Sequence, residues 1–257
     1  MKGTNDAVMP VLGHLGELRK RLIISIVAIG ATVAVSFIFS NSILHALLLP
    51  LGQLHTKAFN VMDGFMIKWR ISLYTGVVAA FPIWAYQAYQ FIRPALYKKE
   101  RNSIGPLILG SFILFIAGMA FAFCLLSSMI STLLRFFPPE IEFMPSANDY
   151  ISFSTFFIMA CGLVFQLPPV LVVLVQLRLV RAKTLRKQRR IAYFILFAFA
   201  EIITPVSDPI VAPLTVMCPL VFLYEISVFL AYRIERRRIK KESGVAAGLI
   251  LESEASE

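Results

Sequence analysis

Six long apolar runs, separated by short polar segments, constrain this chain more than any other feature. They lie at about Leu22 to Phe39, Ile71 to Phe91, Ile104 to Met129, Tyr150 to Leu177, Ile191 to Ile203 and Ile210 to Leu230. A spanning helix needs roughly 20 residues, at about 1.5 Å rise each, to cross about 30 Å of hydrocarbon. The first four runs meet that length. The fifth has only about 13 apolar residues before Thr204-Pro205, and Glu225 interrupts the sixth, so the last two read as a short hairpin turning at residues 205–209. The expected fold is an all-α membrane protein with six transmembrane helices, the last two short.

Composition agrees. Of 257 residues, 58% are hydrophobic and 16% charged, against about half and a quarter in soluble domains. The net charge of +10 could suggest nucleic acid, but the basic residues flank apolar runs instead of gathering on a soluble module. They orient the chain instead. The segments before the first run, between the second and third, between the fourth and fifth, and after the sixth hold 21 of the 25 Lys and Arg, leaving 4 on the other side. Positive residues stay inside, so both termini are expected in the cytoplasm.

Three regions follow: a cytoplasmic amino-terminal segment (1–21), a six-helix membrane domain (22–232), and a tail (233–257) that is basic and then Ser-, Glu- and Ala-rich, expected to be disordered after Lys241. The first run lacks a small-residue cleavage site and reads as a retained helix, not a removable signal peptide. Cys124, Cys161 and Cys218 each lie in an apolar run without CxxC or His partners, so they read as small buried hydrophobes, not as a disulfide or metal set.

Catalytic motifs are absent, and the three histidines are scattered, so neither an enzyme nor a cofactor is expected. What stands out is a set of acids and amides at or near membrane depth, where an ionisable group costs about 2.5 to 3.5 kcal/mol on insertion scales. Glu17 lies one turn before the first span, where an ordinary i,i+4 pair with Arg21 would account for it at a few tenths of a kcal/mol. Glu100 reads equally as a loop charge. Gln166 and Glu201 lie inside apolar runs, and Asp208 lies in the loop between the last two. Counted from Arg178 and Arg190, Gln166 and Glu201 sit about 18 and 16 Å from the cytoplasmic boundary, at one depth on consecutive antiparallel helices. An amide hydrogen bond between them would be possible if both face the bundle interior; Glu201 reads equally as snorkelling outward near the end of a short helix.

Longer segments carry a resemblance. His14-Leu15-Gly16-Glu17-Leu18-Arg19-Lys20-Arg21-Leu22 resembles the HLxELRxRL signature of the TatC family, the multispanning receptor subunit of the twin-arginine (Sec-independent) protein translocase. Residues 82–101, from Pro82 through Tyr86-Gln87 and Pro94-Ala95-Leu96-Tyr97 to Glu100-Arg101, are similar to that family's PxxxYQxWxFxxPALYxxER run. Tyr150-Ile151-Ser152-Phe153, residues 162–168, Thr204-Pro205 with Asp208-Pro209, and Leu223-Tyr224-Glu225 resemble further family segments. The chain departs from the family at Gln166 in place of Glu, at Tyr89 in place of Trp, and at Ala212-Pro213 in place of Ser-Gln.

The resemblance implies a core receptor that binds the twin-arginine signal peptides of folded cargo in the bacterial plasma (inner) membrane. It implies assembly with single-helix TatA- and TatB-like subunits and with further copies of itself, in a complex driven by proton-motive force. By position, Glu17 and Glu100 match the family's signal-binding acids, with Arg19, Phe91 and Pro94 as neighbours in the same motifs. Charge gives an independent reason: a guanidinium makes bidentate, charge-assisted bonds to a carboxylate, and this face is otherwise crowded with cations. A small-solute secondary transporter is the alternative, suggested by Gln166, Glu201, Asp208 and Glu225, but the internal repeats common in transporters are not visible.

Overall fold

The computed structural model describes residues 11–52, 54–95, 104–134, 138, 144–203 and 211–254. Ten α-helices occupy them: α1 (Val11–Ile38), α2 (Ser40–Leu48), α3 (Asp63–Ala79), α4 (Phe81–Ile92), α5 (Ile104–Leu134), α6 (Ala147–Val164), α7 (Leu167–Gln176), α8 (Ala182–Lys187), α9 (Arg189–Ile203) and α10 (Val211–Glu254). Strands are absent from the described residues; the nearest approach to one is an isolated bridge between Lys57 and Ser146. Among the described residues, four segments are long and apolar enough to cross a membrane: Gly13–Ile38, Gly105–Thr132, Ala147–Gln176 and Pro213–Arg236.

Prolines cut two of the expected continuous runs. Pro82, near the start of α4, follows the break at Ala80 that separates α4 from α3. Pro168 and Pro169 open α7 after a turn at Phe165-Gln166. Pro50 sits in a short 3-10 turn, Leu49–Leu51, that ends the extension of the first helix.

One expectation fails at the sixth run. It is not short: α10 passes through Glu225 without interruption and offers a 24-residue span, Pro213–Arg236. The carboxylate does not break the helix because Arg189 and Tyr193 of α9 satisfy it. Beyond Lys241, where composition points to disorder, the backbone continues as helix to Glu254; residues 242–254 hold three Glu, two Ala and two Leu, all strong helix formers.

The chain divides into two compact units, Met1–Phe112 with Met144–Met159, and Ile113–Phe143 with Ala160–Glu257. In the first, α1 packs on α3 and α4. The α1/α3 crossing is close because Gly76 has no side chain: a Cβ there would lie within 2.7 Å of Val33 Cα and N. Thr32 Oγ1 donates to the Gly76 carbonyl at 2.7 Å across the same crossing. The loop before α3 is pinned at both ends. Asp63 Oδ2 accepts the N–H groups of Phe59 and Asn60 at 2.9 Å each, and Lys57 exchanges backbone hydrogen bonds with Pro145 and Ala147. Arg70 donates to the carbonyl and side chain of Asn148, and the buried Tyr150 hydroxyl donates to the Leu47 carbonyl at 2.6 Å.

In the second unit α10 packs on α7, α8 and α9. Gly118 of α5 meets the ring of Phe165, which a Cβ would approach to 2.7 Å. Of the three cysteines only Cys161 is buried; Cys124 and Cys218 are exposed, on faces of α5 and α10 where a bilayer would surround a small apolar thiol. Two of the three therefore depart from the expectation of burial within the chain.

Candidate functional site

The start of α1 and the end of α4 meet through four side chains of the first unit. His14, Glu17 and Arg21 fall at i, i+3 and i+7, on one face of α1. Gln87 and Phe91 are one turn apart on α4. Arg21 Nε donates to Glu17 Oε1 at 3.0 Å, and its Nη2 contacts the same oxygen. The third guanidinium nitrogen, Nη1, donates to Gln87 Oε1 at 3.2 Å, so one arginine ties the two helices together. The imidazole of His14 stacks on the Phe91 ring, with 4.2 Å between centroids.

This leaves Glu17 in an unusual state. Its side chain is 20% exposed, yet Oε2 is buried and has no hydrogen-bond partner among the described residues; His14 Nδ1 is the nearby cationic candidate, at 4.0 Å. An unmet buried acceptor costs about 1 to 3 kcal/mol. The carboxylate thus holds one guanidinium and retains a second acceptor on a chain end rich in cations.

Arg19 is exposed on α1, and Pro94 is exposed in the 3-10 turn Arg93–Ala95 that closes α4. Glu100 lies outside the described residues, as does Asp208. An exposed ladder runs along α4, where Gln90 donates to the Tyr86 hydroxyl at 2.8 Å and Arg93 approaches Gln90 Oε1 at 3.4 Å. His14 and Gln87 were not among the expected site residues, although both stand one helical turn from residues that were.

The intramembrane candidates belong to the second unit. Gln166 is half-buried at the turn between α6 and α7, where its N–H donates to the Leu163 carbonyl at 3.0 Å and its own carbonyl accepts from Val170 at 3.1 Å. Glu201 is half-buried near the end of α9 and forms no ion pair among the described residues. The acid held most firmly is Glu225. Arg189 Nη2 donates to its Oε2 at 2.7 Å, and the Tyr193 hydroxyl donates to Oε1 at 2.5 Å. Tyr224 beside it is buried and donates to the Leu185 carbonyl at 2.8 Å. In the sequence Glu225 registers as an interruption of an apolar run and as part of the Leu223-Tyr224-Glu225 segment, without a visible partner. Its partners are 32 and 36 residues away, beyond any local pattern. No cluster of three or more metal-ligating side chains occurs among the described residues.

A family model described as Sec-independent protein translocase protein (TatC) matches residues 13–219. The chain is similar to the Sec-independent protein translocase protein TatC of Carboxydothermus hydrogenoformans, 34% identical over 240 residues that cover 92% of this chain and 98% of the relative. It is also similar to the TatC protein of Aquifex aeolicus, 35% identical over 238 residues, covering 90% and 98%. Among solved structures, the crystal structure of the twin-arginine translocase receptor TatC superimposes with a TM-score of 0.74 at 34% identity, covering 85% of this chain and 98% of that one.

Proposed function

The chain belongs to the TatC family of Sec-independent protein translocase proteins, and from that premise we propose that it is the core receptor of a twin-arginine translocase, binding signal peptides through Glu17 and Glu100. The relatives are protein-translocase components, a transport role, so the small-solute transporter alternative falls away. The observation that supports the site is the state of Glu17. Its carboxylate already takes the guanidinium of Arg21 through Oε1 and keeps Oε2 buried, with no partner among the described residues. An arginine of a signal peptide supplies the same donors to the same acceptor. Phe91, stacked on His14 of the same face, offers apolar contact, and Arg19 and Pro94, both exposed, complete the proposed binding set.

In this reading the chain crosses the bacterial plasma membrane six times with both termini in the cytoplasm, so residues 1–21 and the basic part of the tail lie on the signal-peptide side. Its partners are folded cargo bearing twin-arginine signals, TatA- and TatB-like single-helix subunits, further copies of itself and the surrounding lipid. Gln166 stands where the family carries an acid, and Glu201 on the neighbouring helix restores one carboxylate at the same depth. Asp208 belongs to the opposite, periplasmic side. Export impaired by Glu201→Gln and restored by adding Gln166→Glu would support that exchange; unimpaired export would end it.

The test of the receptor role is a direct titration of a twin-arginine peptide against purified protein. Glu17→Ala and Glu100→Gln should each weaken binding by roughly 10- to 100-fold, the loss of a charge-assisted hydrogen bond worth about 1.5 to 3 kcal/mol, while protein levels in the membrane hold. Unchanged affinity in both variants would refute the assigned roles.

A further inference from the structure

The second unit carries a groove of about 470 Å³ lined by Ala182, Lys183, Arg186, Arg189, Glu225, Val228, Phe229 and Tyr232. Its two sides differ in chemistry. One side is cationic: Lys183 and Arg186 stand three residues apart on α8, both exposed, and neither forms an ion pair among the described residues. Arg189 follows three residues later. Its Nη2 is committed to Glu225, but its Nε is buried with no acceptor among the described residues. The other side is apolar. Val228 is buried, while Phe229 and Tyr232 remain 58% and 49% exposed on α10, inside the segment Pro213–Arg236 that is apolar enough to span a membrane.

Charge decides what fits. Three cations face one carboxylate, and that carboxylate is already occupied by Arg189 and Tyr193. The groove is therefore short of anionic charge at one wall and short of apolar cover at the other. A free anion would meet the first need and leave Phe229 and Tyr232 bare, whereas an uncharged lipid would meet only the second. We propose that this groove binds an anionic phospholipid, its phosphate seated between Lys183 and Arg186 and its acyl chain lying along Val228 and Phe229. Basic pockets beside membrane helices hold anionic headgroups by this combination of charge and apolar contact. A headgroup oxygen beside Arg189 would also meet the unpartnered Nε donor.

Two hydrogen bonds fix the short α8 beside the groove. Ala182 N–H donates to Glu235 Oε2 at 2.8 Å, and the Tyr224 hydroxyl donates to the Leu185 carbonyl at 2.8 Å, so α8 is fastened to α10 on both sides of Lys183. The cations are thus held beside Phe229 and Tyr232. Arg233 covers the outer face of the Phe229 ring, its guanidinium carbon 5.4 Å from the centroid, and adds a further positive charge at the rim.

The test is native mass spectrometry of the purified full chain in an uncharged detergent, titrated with phosphatidylglycerol, phosphatidylcholine or glycerol 3-phosphate. The expected result is one saturable phosphatidylglycerol adduct. Lys183→Gln with Arg186→Gln should weaken it roughly 30-fold, at about fivefold per cation, whereas Lys187→Gln with Arg190→Gln, which removes equal charge outside the groove, should leave it bound. Phe229→Ala should also weaken the lipid adduct. Equal retention of phosphatidylcholine, equal loss in the two double variants, or glycerol 3-phosphate binding as tightly as the lipid would each overturn the proposal. If the first double variant does not fold, an unchanged adduct in Phe229→Ala overturns it.

Discussion

The rings of His14 and Phe91 lie stacked 13° from parallel, joining the first turns of α1 to the last turn of α4. Beside the stack, Arg21 bridges Glu17 and Gln87 across the same two helices. The stack holds the two signature segments, around Glu17 and residues 82–95, in one place. An aromatic pair of this kind is worth about 0.5 to 1.5 kcal/mol beyond its buried area. A double-mutant cycle of His14→Ala and Phe91→Ala, read by unfolding in detergent, should return a coupling of about that size; strictly additive effects would show that the rings do not join the helices.

Close packing of α1 on α3 gives a sharper expectation. Gly76→Ala places a methyl group against the Val33 backbone, which cannot move aside as a flexible side chain can. Overpacking of this kind costs about 1 to 3 kcal/mol. Thr32→Val, which removes the hydroxyl shared between the Gly76 carbonyl and the Ala28 and Ile29 carbonyls of its own helix, should cost less, about 0.6 kcal/mol. Comparison of the two unfolding midpoints checks the order, and a reversal would mean that the hydrogen bond, not the close approach, dominates the crossing.

Asp63 supplies a pH dependence. The N–H of Asn60, helped by that of Phe59, holds its carboxyl below the usual carboxylate range, against the opposing effect of desolvation. A group whose folded pKa is depressed stabilises the fold at pH above its unfolded value and loses that contribution as pH falls through the folded one. The gap in melting temperature between wild type and Asp63→Ala should hold from about pH 8 to pH 5 and close below about pH 4. A gap that widened on acidification would contradict the assignment.

Orientation is open to a simple labelling experiment. Ala58 and Lys187 are both exposed, and the distribution of Lys and Arg assigns them to opposite sides of the membrane. In sealed cells Ala58→Cys should react with an impermeant thiol reagent and Lys187→Cys should not. The reverse pattern would invert the topology.

The helical class, the long runs and the family's signature segments are legible because each depends on local sequence: apolar length, flanking charge and contiguous motifs. Glu17 with Arg21 could be read at i,i+4, and the structure forms that pair. Three things were not legible. The link from Arg21 to Gln87 spans 66 residues, and the shielding of Glu225 by Arg189 spans 36, so neither leaves a local trace. The sixth run was read as short for that reason: an acid in an apolar segment signals interruption unless its partner is known. The break between α3 and α4 was hidden too, because Pro82 in a run of apolar residues can kink a helix or divide it, and the sequence does not distinguish the two.

The proposed receptor role rests on guanidinium groups meeting a carboxylate, so the most direct measurement compares two peptides that differ only in that chemistry. A fluorescent signal peptide carrying Arg-Arg, and the same peptide carrying Lys-Lys, would be titrated into the purified chain at fixed salt. Lysine keeps the charge and loses the planar fork that bonds a carboxylate twice. The Arg-Arg peptide should bind roughly 10- to 100-fold more tightly, and Glu17→Ala should remove most of that preference. Equal affinity for the two peptides in the wild-type chain would contradict recognition of the twin arginines at this site.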